Sequence, residues 1–208
     1  MQDSRIETRP LTAADVDSAA TVLGLAFADY PWTRWTVAAD NHVARITELQ
    51  RLCLQHLGLP FGRVWVTTVD ETVHSVAFWA DTAQRAPAEL VADLGPRFAE
   101  LEGDRHLASA AADAEVHGWR PEQRHLYLGT TGTTPAVQQR GLATRTLAPG
   151  LAFADAENIT ACLETSTHAN VELYSRLGFS MVHHWRIAQG AGPDVWTMQR
   201  APRPLPGS

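Results

Sequence analysis

Apolar residues recur at helical spacing in two stretches of the N-terminal third of the chain. Thr12 and Asp15 precede the first stretch at the spacing of a capping box, with Asp in place of Glu. The apolar positions of this first predicted helix are Val16, Ala19, Ala20, Leu23 and Phe27. The second predicted helix begins near Asp40 and ends at Gly58, a residue type that commonly closes a helix. Its apolar positions are Val43, Ile46, Leu49, Cys53 and Leu57.

Alternating apolar or β-branched residues predict strands in seven other segments. Residues 63–69 and 73–80 flank Asp70-Glu71 and should form a hairpin with each other. The other five predicted strands are residues 5–9, 125–133, 160–165, 180–187 and 194–199.

Two longer segments between the strands are predicted to be helical. Residues 87–116 have helical composition, and Gly95-Pro96 and Gly103-Asp104 should divide them into two or three short helices. Residues 142–157 form the next predicted helix, with Pro149-Gly150 expected to kink or split it.

A short helix is predicted at residues 170–177, with Asn170 as its N-cap and Gly178 as its C-cap. Strands and helices are interspersed, and the chain has neither internal repeats nor a linker. We therefore expect one α/β (α+β) domain over residues 1–200. The proline-containing segment 201–208 should be a flexible tail.

The composition indicates a folded globular protein. Of the 208 residues, 45% are hydrophobic and 19% are charged, which is unlike a disordered chain. The net charge is −6, and Lys and Arg do not cluster, so we expect no nucleic-acid partner. An acidic surface is better suited to a positively charged amine substrate.

Several classes of partner are not expected. No run of about 18 apolar residues exists for a membrane span, and the first residues lack the apolar core of a signal peptide. We therefore expect a cytoplasmic protein without a membrane partner, either a monomer or a homodimer.

Cys53 and Cys162 should be buried free thiols. The nine histidines are scattered without a zinc-site spacing, so we expect no bound metal.

The clearest chemical signal is the turn before the helix at 142–157. Its sequence is Val137-Gln138-Gln139-Arg140-Gly141-Leu142-Ala143-Thr144. A strand, a tight turn with glycine and a helix start together present free backbone N–H groups to an anion. Gly141 allows the backbone to approach a ligand closely, Arg140 adds a positive charge, and Thr144 adds a hydroxyl group. We predict that this turn binds a diphosphate.

A second candidate lies in the short helix near the C-terminus. Asn170 and Tyr174 are four residues apart and so share one helix face. Tyr174 could place its hydroxyl group beside a thioester sulfur. The alternative interpretation is a core tyrosine that packs over the helix cap.

The fifth predicted strand carries a single carboxylate. Alternation places Glu164 on the same face as Cys162 and Ser166. A carboxylate in a buried apolar strand needs a partner or a function. Glu164 therefore either deprotonates an attacking ammonium group, directly or through water, or forms a salt bridge with an Arg or a His. His168 and Tyr30 are further candidates for a base or a substrate contact.

Together the two motifs resemble those of the GNAT superfamily of N-acetyltransferases. Gln-x-x-Gly-x-Ala begins at Gln138 and is similar to the acetyl-CoA loop of that superfamily. Asn-x-x-x-Tyr-x-x-x-Gly-Phe begins at Asn170, about 30 residues later, in the same order and spacing. The resemblance implies a mixed, mostly antiparallel twisted sheet of six to seven strands, flanked by helices, with splayed central parallel strands. It also implies acetyl-CoA as co-substrate and Tyr174 as the general acid that protonates the departing CoA thiolate.

The resemblance also assigns a role to the strand before the loop. In the superfamily this strand has a bulge, its backbone pairs with the pantetheine arm, and one of its N–H groups polarises the thioester carbonyl. Gly129 and Gly132 would favour such a bulge here. The implied cofactor-binding residues are Gly132, Thr133, Val137, Gln138, Gln139, Arg140, Gly141, Leu142, Ala143, Thr144 and Asn170.

Longer segments resemble the members of the superfamily that acetylate aminonucleoside antibiotics such as puromycin. They include Gly62-Arg63-Val64-Trp65-Val66 and Leu163-Glu164-Thr165-Ser166. This implies acetylation of a free amine by direct attack, with a role in antibiotic resistance or self-resistance. The substrate-binding candidates are Asp29, Tyr30, Trp32, Trp35, Trp79 and His168. Two alternatives remain: an acyltransferase for another biosynthetic amine, and a non-catalytic acyl-CoA-binding module.

Overall fold

The predicted strands pair into one open sheet. In a computed structural model that describes residues 4–204, the strand order is β1-β2-β3-β4-β5-β7-β6. The strands are β1 (Ile6–Pro10), β2 (Arg63–Val69), β3 (Thr72–Asp81), β4 (His125–Thr133), β5 (Thr160–Thr165), β6 (Ser180–Arg186) and β7 (Asp194–Arg200). All seven predicted strands are confirmed, each within one residue of its predicted bounds.

Helices cover both faces of this sheet. They are α1 (Val16–Ala26), α2 (Pro31–Thr36), α3 (His42–Leu52), α4 (Leu59–Phe61), α5 (Ala88–Glu102), α6 (His106–His117), α7 (Leu142–Ala156) and α8 (His168–Arg176). A π-helical turn, Cys53–Gly58, joins α3 to α4. The short helix α2 was not predicted from the sequence.

The sheet opens between its two central strands. β4 and β5 are parallel and pair at three positions only, the last of which joins Tyr127 to Cys162. Beyond that point β4 continues alongside β3, and β5 continues alongside β7. All the other neighbouring strands are antiparallel. The implied mixed sheet with splayed parallel strands is therefore confirmed, and the splay leaves a wedge-shaped gap.

Alternation along the strands divides the core into two layers. Val66 and Val76 face α1, where they pack with Leu23 and its apolar neighbours. Ala77 and Trp79 face the opposite side and pack with Leu147, Leu163 and Met198. This arrangement follows from the two-residue period of strand side chains.

The predicted interruption at Gly103-Asp104 is confirmed, whereas the predicted interruption at Gly95-Pro96 and the predicted split at Pro149-Gly150 are wrong. Helix α5 runs continuously through Gly95-Pro96 and ends at Gly103, which has a φ of 63°. Helix α7 runs continuously through Pro149-Gly150. At position 150 a Cβ atom would lie 2.2 Å from the indole nitrogen of Trp79. This glycine therefore permits close packing of α7 on β3 and does not break the helix.

The C-terminal end of the described range is anchored to the domain. The carboxylate of Asp155 accepts two hydrogen bonds from the Arg200 guanidinium, at 2.7 and 2.8 Å, and one from the Arg203 N–H at 2.7 Å. Of the predicted tail, residues 205–208 lie outside the described residues. Within residues 4–204, no helix is long and apolar enough to span a membrane.

Candidate active site

Two connected cavities occupy the gap between β4 and β5. The larger has a volume of about 680 Å³ and lies between the turn before α7 and helix α8. The smaller, of about 180 Å³, lies toward α2, α3 and α6. The residues that line both cavities are Phe27, Tyr30, Thr131, Asn170 and Tyr174. These five residues define the junction, where molecules bound in the two cavities would meet.

The predicted anion-binding turn forms one end of the larger cavity. Gly141 is the N-cap of α7 and has a φ of 76°, in the left-handed region that favours glycine. Gln139 also has a positive φ, of 63°. The first N–H groups of α7 have no carbonyl partner within the helix and are available to a ligand. The turn therefore has the backbone geometry of an anion site.

Most of the predicted cofactor-binding residues line this cavity. Those that do are Gly132, Thr133, Gln138, Gln139, Gly141, Leu142, Ala143, Thr144 and Asn170. Val137 and Arg140 do not line either cavity. Arg176, near the end of α8, contributes a positive charge that the sequence did not indicate.

A bulge shapes the wall of the smaller cavity. In the pairing of β3 with β4, Phe78 is opposite Thr130 and Trp79 is opposite Leu128, so Gly129 is the extra residue. A bulge leaves the extra residue's backbone groups unpaired and redirects the strand. The predicted bulge is confirmed at Gly129. Gly132 has another role, because a Cβ atom there would lie 2.8 Å from Ala26 of α1.

Tyr174 lies at the junction, where its side chain is only 4% exposed. Its ring packs against that of Phe179, with the centroids 5.8 Å apart. Burial, with a smaller contribution from Tyr30, raises the pKa of the Tyr174 hydroxyl well above its ordinary value. The hydroxyl group therefore stays protonated at physiological pH and can act as a proton donor.

A hydrogen-bonded network holds the residues around Tyr174. The Ser166 N–H donates to the Tyr30 hydroxyl oxygen at 2.6 Å, and that hydroxyl lies 2.9 Å from Oγ1 of Thr165. Nδ2 of Asn170 donates to the same Oγ1 at 3.0 Å. Asn170 is not the N-cap of α8. That position belongs to Thr167, whose Oγ1 accepts the Asn170 N–H, and this frees the Asn170 side chain for the junction.

Glu164 lines the smaller cavity as one half of an ion pair. Nε and Nη2 of Arg120 donate to its two carboxylate oxygens, at 3.0 and 3.2 Å. Nη2 also donates to the Tyr127 hydroxyl at 2.8 Å, and the guanidinium stacks over the Tyr127 ring at 3.8 Å. Of the two readings of Glu164, the salt bridge to an arginine is therefore present. The position also leaves Glu164 facing the cavity.

Asp113 of α6 is a third charged residue of the smaller cavity, and sequence reasoning missed it. Burial, repulsion from Glu102 and repulsion from Glu164 raise its pKa to about 6, against the opposing effect of Arg120. The residue is exposed to solvent and lines the smaller cavity. Gln50, from α3, lines the same cavity and has a buried side-chain oxygen without a hydrogen-bond partner among the described residues.

The predicted substrate-binding residues are only partly brought together. Tyr30 and Trp32 line the smaller cavity. Trp79 is fully buried in the core beneath α7 and does not reach it. Trp35 packs under the Arg105 guanidinium, which lies 4.7 Å from its ring, and lines neither cavity.

Two polar candidates also lie outside both cavities. Asp29 is exposed and forms an ion pair with Arg34 at 2.5 Å, which holds its carboxylate in solvent. His168 begins α8 and packs on Trp196, with the ring centroids 4.7 Å apart. The sequence placed these residues near the site because of their neighbours in the chain. Their side chains instead contact Arg34 and Trp196.

This architecture is similar to that of known acetyltransferases. No protein-family profile matches the chain. The structure matches the histone acetyltransferase HPA2 and related acetyltransferase of Corynebacterium glutamicum with 25% identity and a TM-score of 0.73, over 98% of this chain and 99% of that one. It matches the polyamine N-acetyltransferase of Drosophila melanogaster with 15% identity and a TM-score of 0.61, over 95% and 100%. It also matches NAA60 of Arabidopsis thaliana in complex with acetyl-CoA, with 14% identity and a TM-score of 0.55, over 95% and 98%.

The chain has the GNAT acetyltransferase fold. The fold class implied by the two motifs is therefore confirmed. The gap between β4 and β5 corresponds to the opening between the central parallel strands of that fold. Acetyl-CoA is bound to one of these structural neighbours. The larger cavity fits such a donor, because it combines free helix N-terminal N–H groups, Arg176 and a volume within the ~300–1,000 Å³ range of ligand pockets.

Proposed function

We propose that this protein transfers the acetyl group of acetyl-CoA to a free amine. The observation that carries the proposal is the position of Tyr174 at the junction of the two cavities. An anion-binding turn lies at one end of the larger cavity, and a cavity with charged walls lies beyond the junction. This arrangement suits a reaction between a long anionic donor and a small acceptor.

The donor would lie in the larger cavity. The N–H groups at the start of α7 would bind its diphosphate. Beyond Tyr127, the edge of β4 that faces the gap has no strand partner, so its backbone N–H and C=O groups are free to pair with the amide groups of the pantetheine arm. The arm would then direct the thioester toward the bulge at Gly129 and toward Tyr174.

The chemistry requires few groups. The amine attacks the thioester carbonyl carbon as the free base, and a tetrahedral intermediate forms. A backbone N–H near the bulge at Gly129 would stabilise its oxyanion, an interaction whose loss typically costs ~10²–10³ in rate. Tyr174 donates a proton to the sulfur as the C–S bond breaks. Positioning of the two substrates contributes more than any single group, about 7–11 kcal/mol of the barrier.

The acceptor we propose is an antibiotic-like amine, with an aminonucleoside such as puromycin as the first candidate and resistance as the role. The resemblance of the longer sequence segments supports this choice. Phe27, Trp32 and Tyr127 supply aromatic walls that suit an aryl or base ring. The cavity of about 180 Å³ is small, so only the amine-bearing arm of such a molecule would enter it.

The experiment is acetylation of an amine panel with acetyl-CoA, followed by mass spectrometry and thiol release. The panel contains puromycin, an aminoglycoside, agmatine and spermidine. We expect one acetyl group on at least one amine, with an equal amount of free CoA. Binding of CoA without acetylation of any amine would instead identify an acyl-CoA-binding module. Acetylation of the polyamines but not of puromycin would remove the antibiotic role and retain the activity.

A further inference from the structure

The smaller cavity contains more negative than positive charge. Glu164 and Arg120 neutralise each other as an ion pair. Asp113 has no hydrogen bond or ion pair with any other residue between 4 and 204. The carboxylate of Glu102, at the end of α5, is hydrogen-bonded to Nδ1 of His106 at 2.5 Å and accepts a hydrogen bond from Oγ of Ser109 at 2.6 Å. The cavity therefore holds one carboxylate, that of Asp113, for which the protein provides no partner.

Four titratable groups, each from a different part of the fold, surround Asp113. They are Glu102 on α5, Arg120 after α6, Glu164 on β5, and Cys53 at the start of the π-helical turn. Cys53 is neutral, because burial raises the pKa of its thiol to about 12, with Asp113 and Glu102 adding to the effect. Burial and the two carboxylates outweigh Arg120 and raise the pKa of Asp113 to about 6. At pH 7.5 Asp113 is ionised and unpaired.

Gln50 supplies an independent observation. Its Oε1 lines the same cavity, is shielded from solvent and accepts no hydrogen bond from any described residue. Buried acceptors in native proteins are nearly always satisfied. A carboxylate and a carbonyl oxygen that both lack donors are suited to a ligand with several N–H groups on one positively charged atom.

We propose that Asp113 and Gln50 bind the ammonium group of the acceptor and that Asp113 removes the proton that frees its nitrogen for attack. This inference rests on the proposed acetyl transfer. An N–H bond of the ammonium breaks, directly or through one water molecule, and an O–H bond forms on Asp113. The electron pair stays on nitrogen and attacks the carbonyl carbon.

The proton balance then closes. The tetrahedral intermediate loses a second nitrogen proton to water, and Tyr174, which becomes a phenolate when it gives its proton to the CoA sulfur, takes one proton back from water. Asp113 returns its proton to bulk water. The net reaction converts an ammonium and acetyl-CoA into an amide, CoA thiol and one proton. Glu164 in this scheme orients Arg120 and Tyr127 and keeps Asp113 as the unpaired carboxylate.

The test is the pH profile of kcat/KM with two acceptors whose amine pKa values differ. If Asp113 is the base, activity falls with unit slope as the pH decreases through about 6, because its carboxylate becomes protonated. This limb should occur at the same pH for both acceptors. We expect Asp113→Asn to lower kcat/KM about 10²–10⁴-fold and to abolish the limb. A limb that instead moves with the acceptor's own pKa, or that persists in Asp113→Asn, would overturn the inference.

Control variants separate this outcome from other failures. Asp104→Asn changes an exposed carboxylate in the turn between α5 and α6 that lines neither cavity, and it should leave the profile unchanged. Glu164→Gln should keep the limb but move it to lower pH, because it removes a repulsion on Asp113 and frees the charge of Arg120. Gln50→Met should raise the acceptor KM about tenfold and keep the limb. Wild-type protein that acetylates no amine would contradict the proposed function, whereas an active wild type with an active Asp113→Asn variant would contradict only the inference.

Discussion

At the scale of single residues, Tyr174 is the group on which the proposed chemistry depends most. Its burial favours the neutral phenol, so the proton is present when the thiolate leaves. The same burial makes the phenol a weak acid, since a donor transfers a proton most readily when its pKa is near that of the acceptor. We therefore expect its contribution to lie at the lower end of the range for general acids.

Replacing Tyr174 with Phe should lower kcat about 10²-fold and change the KM for acetyl-CoA by only a few-fold, because the ring packing is retained. Steady-state thiol release across the pH range measures both constants. Tyr30→Phe is the comparison: it removes the acceptor of the Ser166 N–H and should lower the thermal midpoint more than kcat. An unchanged kcat for Tyr174→Phe at every pH would exclude the general-acid role.

The sequence predicted the residues of the site that belong to local motifs. Tyr174, Asn170 and the turn at Gly141 were found because their spacing along one element is fixed by helix and turn geometry. Asp113 and Gln50 were missed, because each is an ordinary polar residue on an amphipathic helix. Only the tertiary fold brings these residues of α3 and α6 into the lining of one cavity.

At the scale of secondary-structure elements, helix α7 connects the core to the proposed donor site. Its first turn offers N–H groups to the larger cavity, and its middle packs on Trp79 of β3. Two glycines serve these two roles for different reasons. Gly141 supplies a left-handed backbone conformation in open space, whereas Gly150 supplies room beside an indole ring.

Gly141→Ala should weaken donor binding more than folding. No atom lies within 4 Å of the added Cβ, but a φ of 76° costs a residue with a side chain about 1–2 kcal/mol. The turn should therefore relax and misplace its N–H groups, with a KM for acetyl-CoA raised about tenfold or more. Gly95→Ala, in open space on α5 without a positive φ, is the matched control and should leave that KM unchanged. Equal KM values for the two variants would contradict the assigned role of the turn.

Gly150→Ala should destabilise the fold by about 1–3 kcal/mol, because the new methyl group overlaps the Trp79 side chain. Chemical denaturation gives this free energy of unfolding. The Gly95→Ala variant is again the control and should be neutral or slightly stabilising. A Gly150→Ala protein as stable as the wild type would show that α7 does not pack on Trp79 as described.

Element types and strand bounds were predictable because the two-residue and 3.6-residue periods were clear. The predicted breaks at Pro96 and Pro149 were wrong, since both helices continue across the proline, and α7 does so where it packs on Trp79. Helix α2 was missed because its six residues are too few to show a period. Local propensity predicts secondary structure over long windows, but tertiary packing can override it at single positions.

At the scale of the whole molecule, ion pairs outside both cavities join the elements around the gap between β4 and β5. One of these is the pair of Asp155 on α7 and Arg200 at the end of β7, whose arginine side chain is only 4% exposed. Hydrogen bonding to Arg200 lowers the pKa of Asp155 below its ordinary value, against the opposing effect of burial. The pair therefore stabilises the fold at pH values above about 3.8, and this stabilisation is lost as the pH falls through the folded-state pKa.

Asp155→Asn should lower the free energy of unfolding at pH 7 by about 3 kcal/mol, since it leaves a buried guanidinium without its carboxylate. The difference from wild type should shrink below pH 3.8, where the wild-type carboxylate also becomes protonated. Urea unfolding at several pH values measures this difference in the free energy of unfolding. Asp17→Asn, which removes an exposed ion pair with Arg51, should change stability by less than about 1 kcal/mol. A pH-independent difference for Asp155→Asn would contradict the assignment.

The central claim is that the gap between β4 and β5 binds acetyl-CoA with its thioester at Tyr174. The most direct measurement is a crystal structure of the protein with CoA. We expect the diphosphate on the N–H groups at the start of α7, the pantetheine arm along the free edge of β4, and the sulfur within hydrogen-bond distance of the Tyr174 hydroxyl. CoA bound elsewhere, or a sulfur out of reach of that hydroxyl, would contradict the claim.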